Sequence, residues 1–339
     1  MLYDTPMFFE RNRVFRVYQG GSMFDAFFCD DSIDGNYPEE WIASAVQALN
    51  QNCTSKKEGV SKIRGTEYYF DEVLEKYPKQ MLGEKKKLGV LVKLLDSAVR
   101  LPVQAHPDRI LSKKYFQSNY GKEECWIILA TRENACVYFG FQEGITLEDF
   151  KEAIQKGEHD QQAMEKVLVR HEVSVGDVIF IPPKVAHAIG AGCLILEIQE
   201  PTDFTIQPER WCGDYRLSDY EMYLGLDKEE ALECFDFDSH YDVRQVPILL
   251  SKLNGIIYES LVDERQTKNF KVNKVTIDGG NYLLSKGSGI YVIIEGKGKM
   301  IGKEYEKLVQ KGDYFFMPYH IASQFEIIGE KLIVMECYA

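Results

Sequence analysis

The chain has 339 residues, 45% hydrophobic and 27% charged, the make-up of a soluble globular protein with room for about two domains. Its net charge of −13 argues against nucleic acid or an anionic membrane face as the main partner, so an anionic substrate would need a basic pocket of its own. No apolar stretch of about twenty residues and no cationic, cleavable leader is present, so a cytoplasmic location is expected.

In chain order, the apolar runs read as short strands bounded by Gly, Pro or polar turns: "KLGVLVKLLDSA", "LPVQAHPD", "CWIILAT", "ACVYFGF", "DVIFIPP" and "CLILEIQ". The exception is 146–169, where Thr146 and Asp149 form a capping-box variant ahead of apolar residues at helical spacing. One or two helices are expected there, inserted between strands. A second helical patch, "DKEEALECF" near 227–235, reads as part of a linker. Beyond about 246 the chain returns to strands: "GIIYESLV", "FKVNKVTI", "YLLSKG", "GIYVIIEG", "DYFFMPY" and "KLIVMECY". Eight cysteines, at 29, 53, 125, 136, 193, 212, 234 and 337, include no C-x-x-C pair and are expected to be reduced.

The chain contains an internal repeat. "VSVGDVIFIPPKVAHAIG" and "LVQKGDYFFMPYHIASQF" share the frame Gly-Asp-x-x-Phe-x-Pro. A Gly-Asp turn, an apolar strand, a proline and then an inward polar residue is how small double-sheet barrels turn a corner. Two barrels are expected. Eleven residues beyond its glycine the first copy has His187, whereas the second has Ser323, and His320 is out of register and expected to be structural. Gly289 stands where the second copy would need a match for Glu124, so that barrel is expected to be metal-free.

In the first barrel, Gln104 and His106 would point the same way along a strand. They read either as a polar pair on an edge strand or as half of a metal site. Glu124, opening a strand beside Trp126, and His187 supply the other half. Two imidazoles, a carboxylate and an amide oxygen suit zinc, with a coordination position open for water or a substrate hydroxyl.

Over nearly its whole length the chain resembles the class I, cupin-type phosphomannose isomerases. "LGVLVKLLDSAVRLPVQAHPD" is similar to the segment carrying that family's Gln-x-His ligands, "GKEECW" to its Lys-x-Glu segment, and "IPPKVAHAIGAGCLILEIQE" to its histidine signature. "PEEWIASAV", with Trp41 and Ser44, resembles its N-terminal Trp-x-x-Ser element. The resemblance implies a mainly β fold of two cupin (RmlC-like, jelly-roll) barrels. Residues 1–215 would form the metal-bearing domain with its helical insert, 216–245 a partly helical linker, and 246–339 a degenerate cupin.

It further implies one Zn²⁺ per chain on Gln104, His106, Glu124 and His187, Lys122 as the active-site lysine, and Glu197 and Asp203 as acidic groups of the cleft. The implied reaction interconverts mannose 6-phosphate and fructose 6-phosphate through an enediol, in a monomer or weak homodimer. Glu197, desolvated in "CLILEIQ", reads as the base or as the partner of a ligand histidine; Lys122 reads as a phosphate or proton-transfer group or as a solvated turn lysine.

The resemblance breaks where the family has an arginine four residues beyond the matching aspartate; this chain has Gln207. Arg210 could deliver that charge or could form a surface ion pair with Glu209, and Arg109 is next in line. Pro102 replaces a serine before the Gln-x-His segment. Trp126 and Trp211 read as core or pocket wall. Two other readings therefore stand beside the isomerase: a related isomerase with a different sugar substrate, and a metal-binding cupin that senses a sugar without turnover. The second of these gains if neither Arg210 nor Arg109 faces the metal.

Overall fold

A computed structural model describes residues 2–51, 55–238, 241–284 and 287–339. Cys53 and, within "YLLSKG", Ser285 and Lys286 lie outside the described residues. The molecule is mainly β, built of antiparallel sheets that form two cupin-type barrels with a helical insertion. A six-stranded sheet runs in the order Arg13–Val14, Glu39–Ile42, Leu91–Ser97, Cys193–Gln199, Glu124–Thr131, Val178–Ile181. Facing it is a three-stranded sheet of Leu168–Glu172, Cys136–Phe141 and His187–Ile189. The second barrel is a nine-stranded sheet in which the long strands Gly289–Gly302 and Glu326–Tyr338 are neighbours.

Alternation along the six-stranded sheet explains both cores. Leu194, Leu196 and Ile198 face the second barrel, where they join Val92, Leu94 and Cys125 against Val272, Ile290, Val292 and Met335. Cys193 and Ile195 face the other way, with Trp126, Ile128 and Ile179 against Val137 and Ile189 of the small sheet. Glu124 and Lys93 belong by alternation to this inner face, as does Glu197. Both faces of the sheet are covered, so its strands read as continuous apolar runs. The few charged residues inside those runs are the ones that need a reason.

The helical expectations hold in outline. Thr146 and Asp149 form the capping box of helix Leu147–Gly157, and a 3-10 turn at Glu165–Val167 leads into strand Leu168–Glu172. The linker carries two short helices, Asp219–Tyr223 and Lys228–Leu232, whose Met222, Tyr223, Ala231 and Leu232 pack into the first barrel's core.

Three features differ from the sequence reading. Met7–Phe8 pairs with Tyr314–Met317 of the second sheet, so the N-terminal strand crosses from the first 215 residues into the other barrel. "LPVQAHP" is an extended segment with isolated bridges, Gln104 to His187 and Ala105 to Ile206, in place of a regular strand. Pro102 and Pro107 lack the N–H groups a longer ladder would use. A further edge strand, Ile248–Leu253, precedes Ile256–Val262 across an Asn254-Gly255 hairpin turn whose positive φ values of 52° and 74° suit those residues. The seven described cysteines are free, and among the described residues no helix is long and apolar enough to cross a membrane.

Candidate active site

The Gln104–His187 bridge joins the two histidine-bearing segments through reciprocal backbone hydrogen bonds of 2.9 Å. His106 follows on the first segment, and Glu124 opens the strand pairing with Val178–Ile181. These three ligand candidates, His106, Glu124 and His187, are buried together. Their Nε2 atoms lie 3.1 Å apart, while Glu124 Oε2 is 3.2 Å from His106 Nε2 and Oε1 is 3.3 Å from His187 Nε2.

The tautomers follow from the backbone. His106 Nδ1 is 3.0 Å from the carbonyl of Phe204, and His187 Nδ1 is 2.8 Å from that of Val185. A carbonyl only accepts, so each Nδ1 carries the proton and each Nε2 turns a lone pair inward. Burial, followed by Lys122, pushes the His106 pKa down to about 3, and burial likewise lowers that of His187 against the pull of Glu124. Burial alone would raise the pKa of Glu124, but Lys122 and the two imidazoles hold it well below the usual carboxylate range. Two neutral imidazoles and a carboxylate therefore converge, and among the described residues the cation against their lone pairs is the Lys122 ammonium. Its Nζ is 2.9 Å from His106 Nε2 and 3.0 Å from Glu124 Oε2. Even so, Glu124 Oε2 has no aligned hydrogen-bond donor among the described residues. Atoms bound at about 2.0–2.1 Å around a tetrahedral centre stand about 3.3 Å apart, so these spacings fit a small divalent ion.

Beside this cluster opens a cavity of about 660 Å³, walled in part by Gln104, Lys122, Glu124, Trp126 and Glu197. Its size suits a small polar metabolite. Glu197 sits directly across the ladders from Trp126 on one side and Lys93 on the other. Burial pushes its pKa up to about 7, Lys93, 3.5 Å from Oε1, opposes the shift, and Glu124 adds to it. The imidazoles of His106 and His187 donate to backbone carbonyls, so Glu197 is not the group that holds them. Asp203 also lines the cavity, where Arg16 Nη2 donates to both its oxygens at 3.0 and 3.2 Å and the Leu49 amide donates at 2.8 Å.

Arg210 is elsewhere. Its guanidinium donates to Glu158, the Leu217 carbonyl and Asp219, each at 2.8 Å, and it is absent from the cavity wall. The anticipated ion pair with Glu209 does not form either, because Glu209 is held by Arg100 at 2.5 Å. Arg109 pairs with Glu200 at 2.7 Å, half exposed and also off the wall. Gln207 does line the cavity, its amide donating to the Glu221 carbonyl at 2.9 Å. Trp211 donates to the Glu158 carbonyl outside the cavity, and Trp126 is a wall residue.

Besides Lys122, the cavity's cations are residues the sequence reading passed over: Arg13, Arg16, Lys57 and Lys93. Arg16 is bound to Glu39 at 3.0 Å and Asn50 at 3.0 Å as well as to Asp203. Glu39 in turn accepts from the Trp41 indole at 2.6 Å and the Tyr18 hydroxyl at 2.8 Å. Burial would raise its pKa, yet Arg16 and Lys93 hold it well below the ordinary range. A signal was present: Lys93 is a lone charge within "VLVKLL", and Glu39 lies two residues before Trp41, on the same strand face.

No protein-family model matches the chain. It is 30% identical over 252 residues to mannose-6-phosphate isomerase ManA of Bacillus subtilis, covering 73% of this chain and 74% of that protein. With the mannose-6-phosphate isomerase of Streptococcus mutans it shares 27% identity over 278 residues, 78% of this chain and 80% of the other. The crystal structure of the mannose 6-phosphate isomerase from Bacillus subtilis superimposes with a TM-score of 0.80 at 24% identity, over 99% of this chain and 100% of that one. A putative mannosephosphate isomerase from Archaeoglobus fulgidus gives 0.74 at 19% identity, over 100% of this chain and 99% of that one. At these identities the structural likeness is one of fold.

Proposed function

The chain belongs to the mannose-6-phosphate isomerase family, and we propose that it interconverts mannose 6-phosphate and fructose 6-phosphate with the help of one bound zinc ion. The observation that carries the metal reading is the convergence of His106 Nε2, His187 Nε2 and a Glu124 oxygen at 3.1–3.3 Å in a buried pocket. Gln104, His106, Glu124 and His187 would hold the ion. Its donor set of nitrogen and oxygen suits Zn²⁺, which supplies positive charge to polarise the substrate's carbonyl and hydroxyl oxygens.

The residues of the chain do the rest. In this reading the Glu197 carboxylate takes the proton from C2 and returns it at C1, passing through an enediol. A pKa near 7 matches a base working at neutral pH. Lys122, already against Glu124 and His106, moves the hydroxyl proton. Asp203 acts through Arg16, whose guanidinium it holds at the cavity, and Arg16 with Lys57 at the rim supplies positive charge for the phosphate. Arg210 leaves the catalytic set because, unlike Arg16, it does not line the cavity, its guanidinium being turned to Glu158, Asp219 and the Leu217 carbonyl. A two-barrel division near residues 215 and 246, a cytoplasmic location and a monomeric or weakly dimeric state belong to the same proposal.

One observation favours a second reading, the same chemistry on another sugar: Gln207 faces the cavity where the resembled family carries an arginine. The deciding experiment is turnover by zinc-loaded protein, measured with mannose 6-phosphate and then with a panel of other aldose phosphates. Conversion of mannose 6-phosphate that stops on chelation supports the first reading. Turnover of another sugar alone supports the second, and none at all leaves a binding protein.

A further inference from the structure

We propose that the indole N–H of Trp126 and the Glu197 carboxylate grip one hydroxyl of the bound sugar between them, the hydroxyl accepting from the indole and donating to the carboxylate. The inference rests on the isomerase reading and extends it to a substrate-positioning group.

Trp126 is completely buried, yet its Nε1–H has no acceptor among the described residues. Glu197 is also buried, and its Oε1 has no hydrogen-bond donor among the described residues; the Lys93 ammonium stands 3.5 Å away without an aligned bond. Buried polar groups are nearly always paired, so each of these asks for a partner that the described residues do not supply. The two face each other directly in the ladder between Glu124–Thr131 and Cys193–Gln199, on the same inner face, and both line the cavity. They do not bond to one another. An unsatisfied donor beside an unsatisfied acceptor is matched by a neutral group that can accept and donate at once, and a sugar hydroxyl is such a group.

The indole is held for this task. Its ring packs edge-on against the His187 imidazole, with centroids 5.4 Å apart and planes at 71°. Trp126 is thus oriented by the same residue that turns a lone pair into the metal cluster. In the proposed reaction the C1 and C2 oxygens are taken by the metal and Lys122, so the free hydroxyl nearest Glu197 is the one on the adjoining carbon, C3.

The test compares mannose 6-phosphate with its 3-deoxy and 4-deoxy analogues in zinc-loaded wild type and Trp126→Phe, with zinc content and melting temperature measured for both proteins. Loss of one hydrogen bond lowers kcat/KM by about tenfold. The wild type loses both bonds on the 3-deoxy sugar and should fall by clearly more than about tenfold there, with little loss on the 4-deoxy sugar. Trp126→Phe should lose about tenfold on mannose 6-phosphate itself and show a smaller further penalty for 3-deoxy, that of the remaining bond to Glu197 alone. Equal 3-deoxy penalties in the two proteins, or wild-type kcat/KM in the variant, overturn the proposal. If the variant does not fold, the wild type alone decides: equal rates on the two analogues overturn it. If the wild type turns over no sugar phosphate, the isomerase reading has failed, and calorimetric titration with mannose 6-phosphate then decides this one. Weaker binding to Trp126→Phe supports the grip, while equal or undetectable binding by both proteins ends it.

Discussion

Arg16 and Asp203, 187 residues apart in the chain, meet at the cavity wall, where one guanidinium nitrogen donates to both carboxylate oxygens at 3.0 and 3.2 Å. The pair ties the segment that follows strand Arg13–Val14 to the loop that follows strand Cys193–Gln199. Glu39 and Asn50 take the remaining Arg16 donors, so the group is fixed on three sides. Arg16→Met is expected to strand two buried carboxylates and to destabilise the protein by about 3–5 kcal/mol, the cost of breaking a buried pair from one side. Arg16→Lys keeps the charge and loses the fork, so its loss should be intermediate. Urea unfolding of both variants measures this, and equal stability of Arg16→Met and wild type would remove the clamp from the account.

Glu39 gives the acid behaviour of the same network. Its folded pKa lies below the ordinary carboxylate value because Arg16 and Lys93 outweigh burial. A lowered folded pKa contributes stability that is present above the unfolded value near 4.5 and fades as pH falls towards the folded one. The stability gap between wild type and Glu39→Gln should therefore be full at neutral pH and shrink below about 4.5. A gap that grows on acidification contradicts the ion-pair origin.

For the metal cluster the decisive variant is His187→Ala. Removing a ligand imidazole should weaken metal affinity by at least about tenfold, since even partners of ligands have effects of that size. Competition against a chromophoric chelator reads this directly. Undiminished affinity would remove His187 from the ligand set.

How much of this was legible depended on residue type. The metal candidates could be picked out because histidine, glutamate and glutamine are rare inside apolar runs, and their segments are distinctive. The direction of a long cation was not legible. Arg210 sits three residues past Gln207 in sequence, yet its guanidinium turns to Glu158, just past the end of helix Leu147–Gly157, and to Asp219, which opens helix Asp219–Tyr223. Arg16 belongs to "NRVFRVY", a stretch holding just a two-residue strand, with no periodicity to say which side faces inward. Lys93 was legible in principle, since an amine amid "VLVKLL" needs the carboxylates of Glu39 and Glu197 nearby. The extended form of "LPVQAHP" was written in its two prolines, whose missing N–H groups leave room for isolated bridges alone.

Glu197→Gln tests base chemistry while conserving size. A positioned general base contributes about 10²–10⁴-fold, so kcat should fall by that order with zinc content unchanged. The raised pKa sets the pH profile. A base must be ionised, so wild-type kcat/KM should climb through about pH 7 and level off above it. The residual activity of Glu197→Gln should lack that limb. If the limb persists in the variant, another group titrates and Glu197 is not the base.

Arg210→Ala should separate fold from chemistry. The side chain makes three hydrogen bonds of 2.8 Å, but Asp219 is largely exposed and Glu158 is partly so, which lets water replace much of what is lost. A loss of about 1–2 kcal/mol of stability is expected, chiefly from the Leu217 carbonyl and the half-buried Glu158 contact. Because Arg210 does not line the cavity, kcat/KM should remain within about threefold of wild type, a difference worth less than 1 kcal/mol. Steady-state kinetics at a temperature well below the melting transition distinguishes the two effects. A tenfold or greater fall in kcat/KM with stability and zinc content intact would return Arg210 to the site and would require the loop from Gln207 to Arg210 to rearrange when substrate binds.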